Sequence, residues 1–157
     1  MTRPKLLIFE GLPGSGKTFL IDRIRELYPL VFIAPRFVGK LESSNFIDFN
    51  LLFLKKLKES NLEIPVLFDR FCWSDVVFSR ILRNEVIDIS VVLESLDDFD
   101  YMVVWMTNNY GQSHSFYSAV QLDMMNKIYS SLLSNCPAVI KHDFDSFDRI
   151  IEFLGGK

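Results

Sequence analysis

The sequence has little cysteine, no excess of positive charge and no long apolar run, and each shortage excludes a class of protein. Its two cysteines, Cys72 and Cys136, are too few for a disulfide framework and match no metal-binding spacing. The net charge of −3 disfavours broad nucleic-acid binding, which needs clustered Lys and Arg. Apolar runs stay well below the ~20 residues of a membrane span. We therefore expect a protein with reduced thiols and neither signal peptide nor membrane span, located in the cytoplasm.

The chain is rich in apolar and aromatic residues. Its 157 residues are 49% hydrophobic and include 15 Phe, which predicts one domain over residues 1–157 with an aromatic core. Short apolar segments alternate with helix-like patterns. The predicted strands are residues 6–9, 30–34, 65–68, 101–106 and 138–140, and the predicted helices are 18–27, 46–59, 75–83, 90–96, 116–134 and 146–154. Ser74 is the predicted N-cap of the third helix, and Gly155 closes the last.

This alternation predicts an α/β fold. The strands are apolar without alternation, which is typical of a five-stranded parallel sheet that helices cover on both faces, in three layers. Ligands of such sheets bind beyond the carboxyl ends of the strands, so the loops that follow the strands should meet at one site.

Residues 11–18 carry the most specific motif. They read Gly-Leu-Pro-Gly-Ser-Gly-Lys-Thr and fit G-x-x-x-x-G-K-[ST] between a predicted strand and a predicted helix. Successive backbone N–H groups of such a loop point into one concavity that receives phosphate oxygens. We expect Lys17 to reach the β- and γ-phosphates of ATP and the Thr18 hydroxyl to ligate Mg²⁺. The predicted ATP-binding residues are Gly11, Gly14, Ser15, Gly16, Lys17 and Thr18.

A charged pair follows the third predicted strand. Phosphoryl transfer needs a carboxylate near the metal and positive charge on the acceptor or on the phosphoryl group. Asp69 is the candidate for the metal shell, through water, and Arg70 for the acceptor or the phosphoryl group. With Lys17 they form the predicted catalytic set. A strand-end ion pair without catalytic function is the alternative.

With these motifs, nearly the whole chain resembles the thymidylate kinase and deoxynucleoside kinase group of P-loop kinases. Glu10 followed by residues 11–18 resembles the phosphate loop of that group. Residues 69–74, Asp-Arg-Phe-Cys-Trp-Ser, are similar to the Asp-Arg-Tyr-x-x-Ser segment of thymidylate kinases, and Trp73-Ser74-Asp75 is similar to a Tyr-Ser-Asp segment of deoxynucleoside kinases. The resemblance implies a P-loop NTPase fold, ATP as donor, Mg²⁺ as cofactor and a nucleoside or nucleotide as acceptor.

The chain departs from this group in two regions. Arg36 lies where thymidylate kinases carry Arg-Glu-Pro, but it has no Glu beside it. It is a candidate to bind the acceptor phosphate, and a solvated loop residue is the alternative. Glu42 does not match the position of the base that deoxynucleoside kinases place here. This favours a monophosphate acceptor, which needs no base, and leaves Asp69 as base for a hydroxyl acceptor.

The second departure is the lid, where residues 107–126 contain no Lys or Arg and His114 is the only potential cation. Loss of a lid arginine costs about 10³- to 10⁵-fold in rate. Either Arg36, Arg70, Arg80 or Arg83 supplies this charge, a partner supplies it, or the protein is slow. Arg80 and Arg83 lie one turn apart on the predicted helix, and an outward-facing charged stripe is their alternative role.

Aromatic residues near these motifs are candidates for contacts with a base. Phe46, Phe71 and Trp73 could stack on the acceptor base or pack in the core. Residues 141–144 are expected near adenine. The predicted substrate-binding set is Arg36, Arg70, Phe71, Trp73 and Arg80.

Together these features predict ATP- and Mg²⁺-dependent phosphoryl transfer to a deoxynucleoside monophosphate, with a thymidylate-like acceptor. Two alternatives stay open: a kinase that acts on a hydroxyl of a deoxynucleoside or of a hydroxymethylated base in DNA, and a catalytically weak nucleotide-binding protein. The expected partner is a small nucleotide, and nucleic acid is not favoured. A homodimer through the apolar face of residues 46–57 is a further hypothesis.

Overall fold

The computed structural model describes residues 3–35, 43–107, 116–143 and 145–155. Within them, five parallel strands form one sheet in the order β2-β3-β1-β4-β5. The strands are β1 (Lys5–Gly11), β2 (Phe32–Ile33), β3 (Val66–Asp69), β4 (Asp100–Met106) and β5 (Val139–Lys141). The helices are α1 (Lys17–Leu27), α2 (Ser43–Glu59), α3 (Cys72–Arg83), α4 (Ser90–Ser95), α5 (Ala119–Leu133) and α6 (Ser146–Leu154), and a 3₁₀ turn (Leu96–Asp98) follows α4.

Helices cover the sheet on both faces because successive strand residues point to opposite sides. On β1, Leu6 and Ile8 belong to the core layer that α2, α3, α4 and α5 complete. Leu7 and Phe9 belong to the other layer, which α1 and α6 complete. The predicted three-layer α/β fold with a five-stranded parallel sheet is thus confirmed. No helix in the described part of the chain is long and apolar enough to cross a membrane.

Two local predictions are wrong. The second strand covers only Phe32–Ile33 and is not fully buried, since it lies at the sheet edge and Phe32 is 41% exposed. An apolar run does not distinguish an edge strand from a central one. Ser74 is not an N-cap either, because α3 begins earlier, at Cys72, and the side chain of Ser74 bonds to Glu10 instead.

The apolar face of α2 packs within the same chain. Leu57 is buried, and the ring of Phe53 meets that of Phe68 on β3 edge to face at 5.7 Å. The face expected to form a dimer contact therefore serves the chain's own core, and the homodimer stays a prediction.

Candidate active site

The phosphate loop connects β1, the central strand, to α1. Gly11 has φ 150°, and a Cβ built on it would lie 2.6 Å from the carbonyl oxygen of Met106 on β4. Only glycine fits that close an approach of two strands. Gly16, with φ 93°, precedes the first residue of α1 in the left-handed region. These two glycines let the chain turn from the strand end into the helix within a few residues.

Lys17 lies inside this loop and is 6% exposed. Its Nζ donates to the carbonyl oxygens of Leu12 at 2.8 Å and Gly11 at 3.3 Å, and to Ser15 Oγ at 3.1 Å. The ammonium is thereby held against the loop backbone at the start of α1, where the positive end of the helix also lies. The arrangement concentrates positive charge at the predicted phosphate site.

A crevice of about 370 Å³ runs along the loop. Residues 14–19 line one part of it, and Asp69 and Arg70 line the rest. Thr18 is exposed and Asp69 is partly buried at the carboxyl end of β3, where it pairs in register with Phe9 of β1. The structure therefore brings together the loop, the hydroxyl and the acid–guanidinium pair that the sequence singled out separately.

Arg70 has a strained backbone conformation, and hydrogen bonds fix the orientation of its side chain. Its φ is 75°, a region that non-glycine residues rarely adopt, and its backbone N–H donates to Phe9 O at 2.9 Å. Its Nη1 donates to Gly11 O at 2.8 Å and to Tyr129 Oη at 3.0 Å. The guanidinium carbon also lies 4.8 Å from the ring centre of Phe78. Arg70 thus joins the phosphate loop to α3 and α5.

Glu10, the last residue before the first loop glycine, is fully buried beneath this arginine. Its carboxylate accepts from the backbone N–H of Phe71 at 2.7 Å and of Ser74 at 3.3 Å, and from the Ser74 hydroxyl. These two N–H groups belong to the start of α3, so Glu10 caps that helix from a neighbouring strand. Burial raises the pKa of Glu10 to about 7, although the Ser74 hydrogen bond and the Arg70 charge oppose the shift.

Tyr129 of α5 completes the network from the opposite side. It is fully buried, and its hydroxyl lies 2.8 Å from Ser74 Oγ as well as 3.0 Å from Arg70 Nη1. Burial raises the pKa of this phenol, so it stays protonated at neutral pH. Four polar side chains from β1, the β3–α3 connection, α3 and α5 therefore meet in one buried hydrogen-bonded cluster.

A second cavity, of about 300 Å³, lies between α2, α3 and the end of β3. Asp69 and Arg70 line it as well as the phosphate-loop crevice. We call it the aromatic cavity because its wall contains Phe46, Phe49, Phe53, Phe68, Phe71 and Phe78. Its volume is at the lower end of the range for small-molecule sites, about 300 to 1,000 Å³.

Comparisons with known proteins agree with this architecture. Neither a protein-family model nor a curated protein sequence matches the chain. Among solved structures, the YorR protein from Bacillus subtilis in complex with phosphorylated GDP superposes with a TM-score of 0.66 at 18% identity, over 94% of this chain and 91% of that one. Thymidylate kinase from Candida albicans gives 0.64 at 14% identity, over 96% and 92%. Deoxyadenosine kinase from M. mycoides with bound dATP gives 0.59 at 18%, over 98% and 100%.

The chain shares its fold with these three proteins, two of which are a thymidylate kinase and a deoxyadenosine kinase. The resemblance that residues 10–18 and 69–75 carry is thereby confirmed at the level of the fold. Within this kinase fold, the phosphate-loop crevice and the aromatic cavity both open at the carboxyl ends of the central strands, as expected for a parallel sheet.

Two predicted substrate contacts are not brought to the aromatic cavity. Trp73 is 2% exposed and packs in the core, with its ring 6.3 Å from that of Phe71, so it offers no face to a base. Arg80 is exposed and lies outside the cavity wall, whereas Arg83, one turn further along α3, lines it and lies 5.4 Å from the Phe46 ring. Arg36, Glu42, His114 and Phe144 lie outside the described residues.

The third cavity, of about 560 Å³, adjoins the start of α1. Its wall includes Phe19, Arg23, His142 and Phe147, and His142 belongs to the segment expected near adenine. His142 Nδ1 lies 2.7 Å from Ser146 Oγ, and partial burial lowers the pKa of this histidine. A neutral imidazole and two phenyl rings form an apolar surface suited to a flat base.

Sequence reasoning assigned no site role to two polar residues of the aromatic cavity. Asn50 and Asp75 lie on α2 and α3, and Asn50 Nδ2 donates to Asp75 Oδ2 at 2.9 Å. Burial raises the pKa of Asp75 to about 6. The available signal was that Asn50 lies between the apolar positions Phe49 and Phe53 of an amphipathic helix. Tyr129 was not predicted as a site residue because a tyrosine on an apolar helix face is usually a core residue.

Proposed function

We propose that this protein transfers the γ-phosphoryl group of ATP, with Mg²⁺, to a deoxynucleoside monophosphate. One observation carries the proposal: Asp69 and Arg70 line both the phosphate-loop crevice and the aromatic cavity. A donor phosphate in the first and an acceptor in the second would therefore meet at this pair. Phosphoryl transfer depends mainly on positioning and electrostatic stabilisation, which such a shared wall supplies.

The donor side is built for a triphosphate. The backbone N–H groups of residues 14–18 and Lys17 Nζ would hold the β- and γ-phosphates, and the third cavity, with Phe19 and His142, would hold the base. Thr18 and Asp69 fit Mg²⁺, which binds proteins through few oxygen ligands and keeps its phosphate and water ligands. When bound, the ion would neutralise charge on the phosphates.

Arg70 would supply the positive charge on the transferring phosphoryl group that residues 107–126, which contain no Lys or Arg, do not supply. Its guanidinium lies at the junction of the two cavities, where hydrogen bonds from two directions fix its orientation. A fixed positive charge at that point stabilises charge on the transferring group without reorganisation. Arg83, on the wall of the aromatic cavity, would add positive charge to the acceptor site.

A second candidate function changes only the acceptor. Because Asp69 lies between the cavities, its carboxylate is placed to accept the proton of a sugar hydroxyl, as a deoxynucleoside acceptor requires. A monophosphate acceptor needs no such base, so the products distinguish the two functions.

The test incubates the protein with γ-labelled ATP, Mg²⁺ and a panel of deoxynucleosides and their monophosphates. Label in diphosphates is the expected result, and label in monophosphates indicates the second function. Lys17→Ala should abolish transfer, while Lys127→Ala, which removes an exposed lysine paired with Asp123 on α5, should leave it unchanged. If wild-type protein labels no acceptor, the proposal is wrong.

A further inference from the structure

Two buried hydroxyl groups connect Arg70 to Glu10, and we call this connection the hydroxyl relay. Arg70 Nη1 lies 3.0 Å from Tyr129 Oη, Tyr129 Oη lies 2.8 Å from Ser74 Oγ, and the Ser74 hydroxyl meets Glu10 Oε2. Glu10 is fully buried and lines none of the three cavities, so a bound nucleotide would not touch it. An effect of Glu10 on phosphoryl transfer must therefore pass through other residues, and the relay leads to Arg70.

The direction of each hydrogen bond in the relay follows from the chemistry of its two ends. A guanidinium only donates, so Tyr129 Oη accepts from Arg70. Because burial raises the pKa of the Tyr129 phenol, the phenol keeps its own proton and donates it to Ser74 Oγ. The Ser74 proton is then left for Glu10, whose ionised carboxylate only accepts. With Glu10 ionised, every hydrogen bond of the relay thus points one way, from Arg70 to Glu10.

A proton on Glu10 disturbs this order. The backbone N–H groups of Phe71 and Ser74 already donate to Oε1, so a carboxyl proton faces the Ser74 hydroxyl. If the Ser74 proton then turns towards Tyr129, it competes with Arg70 for the oxygen of that phenol. If it does not turn, it loses the acceptor that it has now. A buried donor without an acceptor is costly, so the neutral form of Glu10 weakens the hold of the relay on Arg70.

Among the described residues, the charged and titratable groups that act on Glu10 are Arg70, Cys72 and Tyr129. The pKa values of Cys72 and Tyr129 are raised by burial and, second, by the Glu10 charge, so both groups stay neutral near pH 7. The arginine stays charged. From β4, Trp105 pairs in register with Glu10, and its indole does not titrate. Glu10, whose pKa burial raises to about 7, is therefore the member of this cluster that changes charge near neutral pH.

We propose that Glu10 is a positioning residue for Arg70 and that phosphoryl transfer is fast only when the Glu10 carboxylate is ionised. The proposal rests on the proposed function, because it takes Arg70 as the charge that stabilises the transferring group. The ionised carboxylate orients the Ser74 hydroxyl, that hydroxyl orients the Tyr129 phenol, and the phenol oxygen holds Arg70 Nη1. The same nitrogen donates to Gly11 O at 2.8 Å, which places the guanidinium against the phosphate loop.

The experiment measures the single-turnover rate of transfer with saturating ATP, Mg²⁺ and acceptor, from about pH 5.5 to about pH 8.5, in wild-type protein and in Glu10→Gln. Glutamine has the shape of the neutral acid and donates where the carboxyl proton would, so it keeps the relay in its low-pH state. Titration of the nucleotides and of Asp75 affects both proteins alike, and the ratio of the two rates cancels it. This ratio should be close to one at the acid end and rise about tenfold, with a midpoint near pH 7. The Kd for ATP should stay nearly the same.

Two further variants and a spectroscopic measurement complete the test. Glu94→Gln, the same change on the exposed surface of α4, should give a ratio that does not depend on pH. Ser74→Ala keeps the carboxylate but interrupts the relay, so the ratio of wild type to this variant should rise with pH as well. The ¹⁵N NMR signals of the Arg70 guanidinium, assigned from their loss in Arg70→Lys, should shift near pH 7 in wild-type protein, much less in Ser74→Ala and not at all in Glu10→Gln.

The outcomes separate the role of Glu10 from the proposed function. A rate ratio that stays constant with pH overturns the role of Glu10 and leaves the function intact. If Glu10→Gln does not fold, the ratio to Ser74→Ala decides in the same way. If wild-type protein transfers no phosphoryl group at any pH but its Arg70 signals follow the ionisation of Glu10, the proposed function fails and the control of Arg70 by Glu10 stands.

Discussion

The carboxylate of Glu10 accepts a 2.7 Å hydrogen bond from the backbone N–H of Phe71, and this contact joins the strand before the phosphate loop to the helix that walls the aromatic cavity. A carboxylate at a helix N-terminus compensates both the unsatisfied N–H groups and the helix dipole. Here the carboxylate comes from 61 residues earlier in the chain. Glu10 is therefore one of the contacts that hold the two candidate ligand sites in their relative position.

Glu10→Gln should reduce the dependence of stability on pH. The native pKa of about 7 lies above the reference value of 4.5, so the folded protein binds more protons than the unfolded chain between these values. Stability therefore falls as pH rises through that window, by about 3 kcal/mol for Glu10. Urea unfolding at pH 5 and pH 8 measures the loss, which should be smaller in the variant.

Asp75, whose pKa is raised to about 6, adds a loss of the same sign in both proteins. Glu94→Gln, on the exposed surface of α4, is the control, and an equal loss in all three proteins would contradict the prediction.

Tyr129→Phe removes only one hydroxyl group, but it should lower both stability and activity. The hydroxyl bonds to both Arg70 and Ser74, so its removal takes one hydrogen bond from each of two buried or partly buried polar groups. We expect a loss of about 1 to 3 kcal/mol in unfolding free energy and a fall in kcat larger than the change in KM for ATP. Tyr28→Phe is a matched control at the end of α1. Unchanged kcat in Tyr129→Phe would show that Arg70 does not need this anchor.

Gly11→Ala and Gly14→Ala should differ in stability. At Gly11 the new Cβ would meet backbone and side-chain atoms of Met106 at 2.6 and 2.9 Å, whereas at Gly14 the described part of the chain places no atom within 4 Å. Gly14→Ala should cost only the left-handed backbone conformation, about 1 to 2 kcal/mol. Gly11→Ala adds a clash between two central strands and should cost more. Chemical denaturation of both variants provides the comparison, and equal losses would argue against close approach of β1 and β4.

Arg70→Lys should separate charge from geometry. Lysine keeps the positive charge but cannot bond Gly11 O and Tyr129 Oη with one planar group while stacking on Phe78. We expect kcat to fall by about 10²- to 10³-fold, with stabilisation by ATP and Mg²⁺ nearly retained. Single-turnover transfer and thermal unfolding with nucleotide measure the two effects. A variant that loses both equally would assign Arg70 to binding of the donor rather than to transfer.

The parts of the fold that the sequence predicts well are those with local signals. The phosphate loop follows from spacing and glycine content, and the central strands follow from their unbroken apolar runs. The position of Phe32 at an edge could not be predicted, because burial of a strand depends on how many neighbours pair with it. The N-terminal cap of α3 was also beyond local reasoning, since Glu10, which supplies it, lies on another strand.

The candidate site divides in the same way. Lys17, Thr18, Asp69 and Arg70 could be found because each lies in a motif or at a strand end, and the structure brings them together. Trp73 and Arg80 do not line the aromatic cavity, and the sequence could not indicate this because the face that a residue of α3 occupies depends on where the helix begins. Once α3 begins at Cys72, Trp73 faces the core and Arg83 reaches the cavity.

The connection between β3 and α3 consists of only two residues, Arg70 and Phe71. So short a link fixes the distance between the phosphate-loop crevice and the α3 wall of the aromatic cavity. New acceptors could then be adopted by exchanging side chains on α2 and α3 while the alignment for transfer stays the same. Insertion of even one residue into the link should abolish turnover for every acceptor at once.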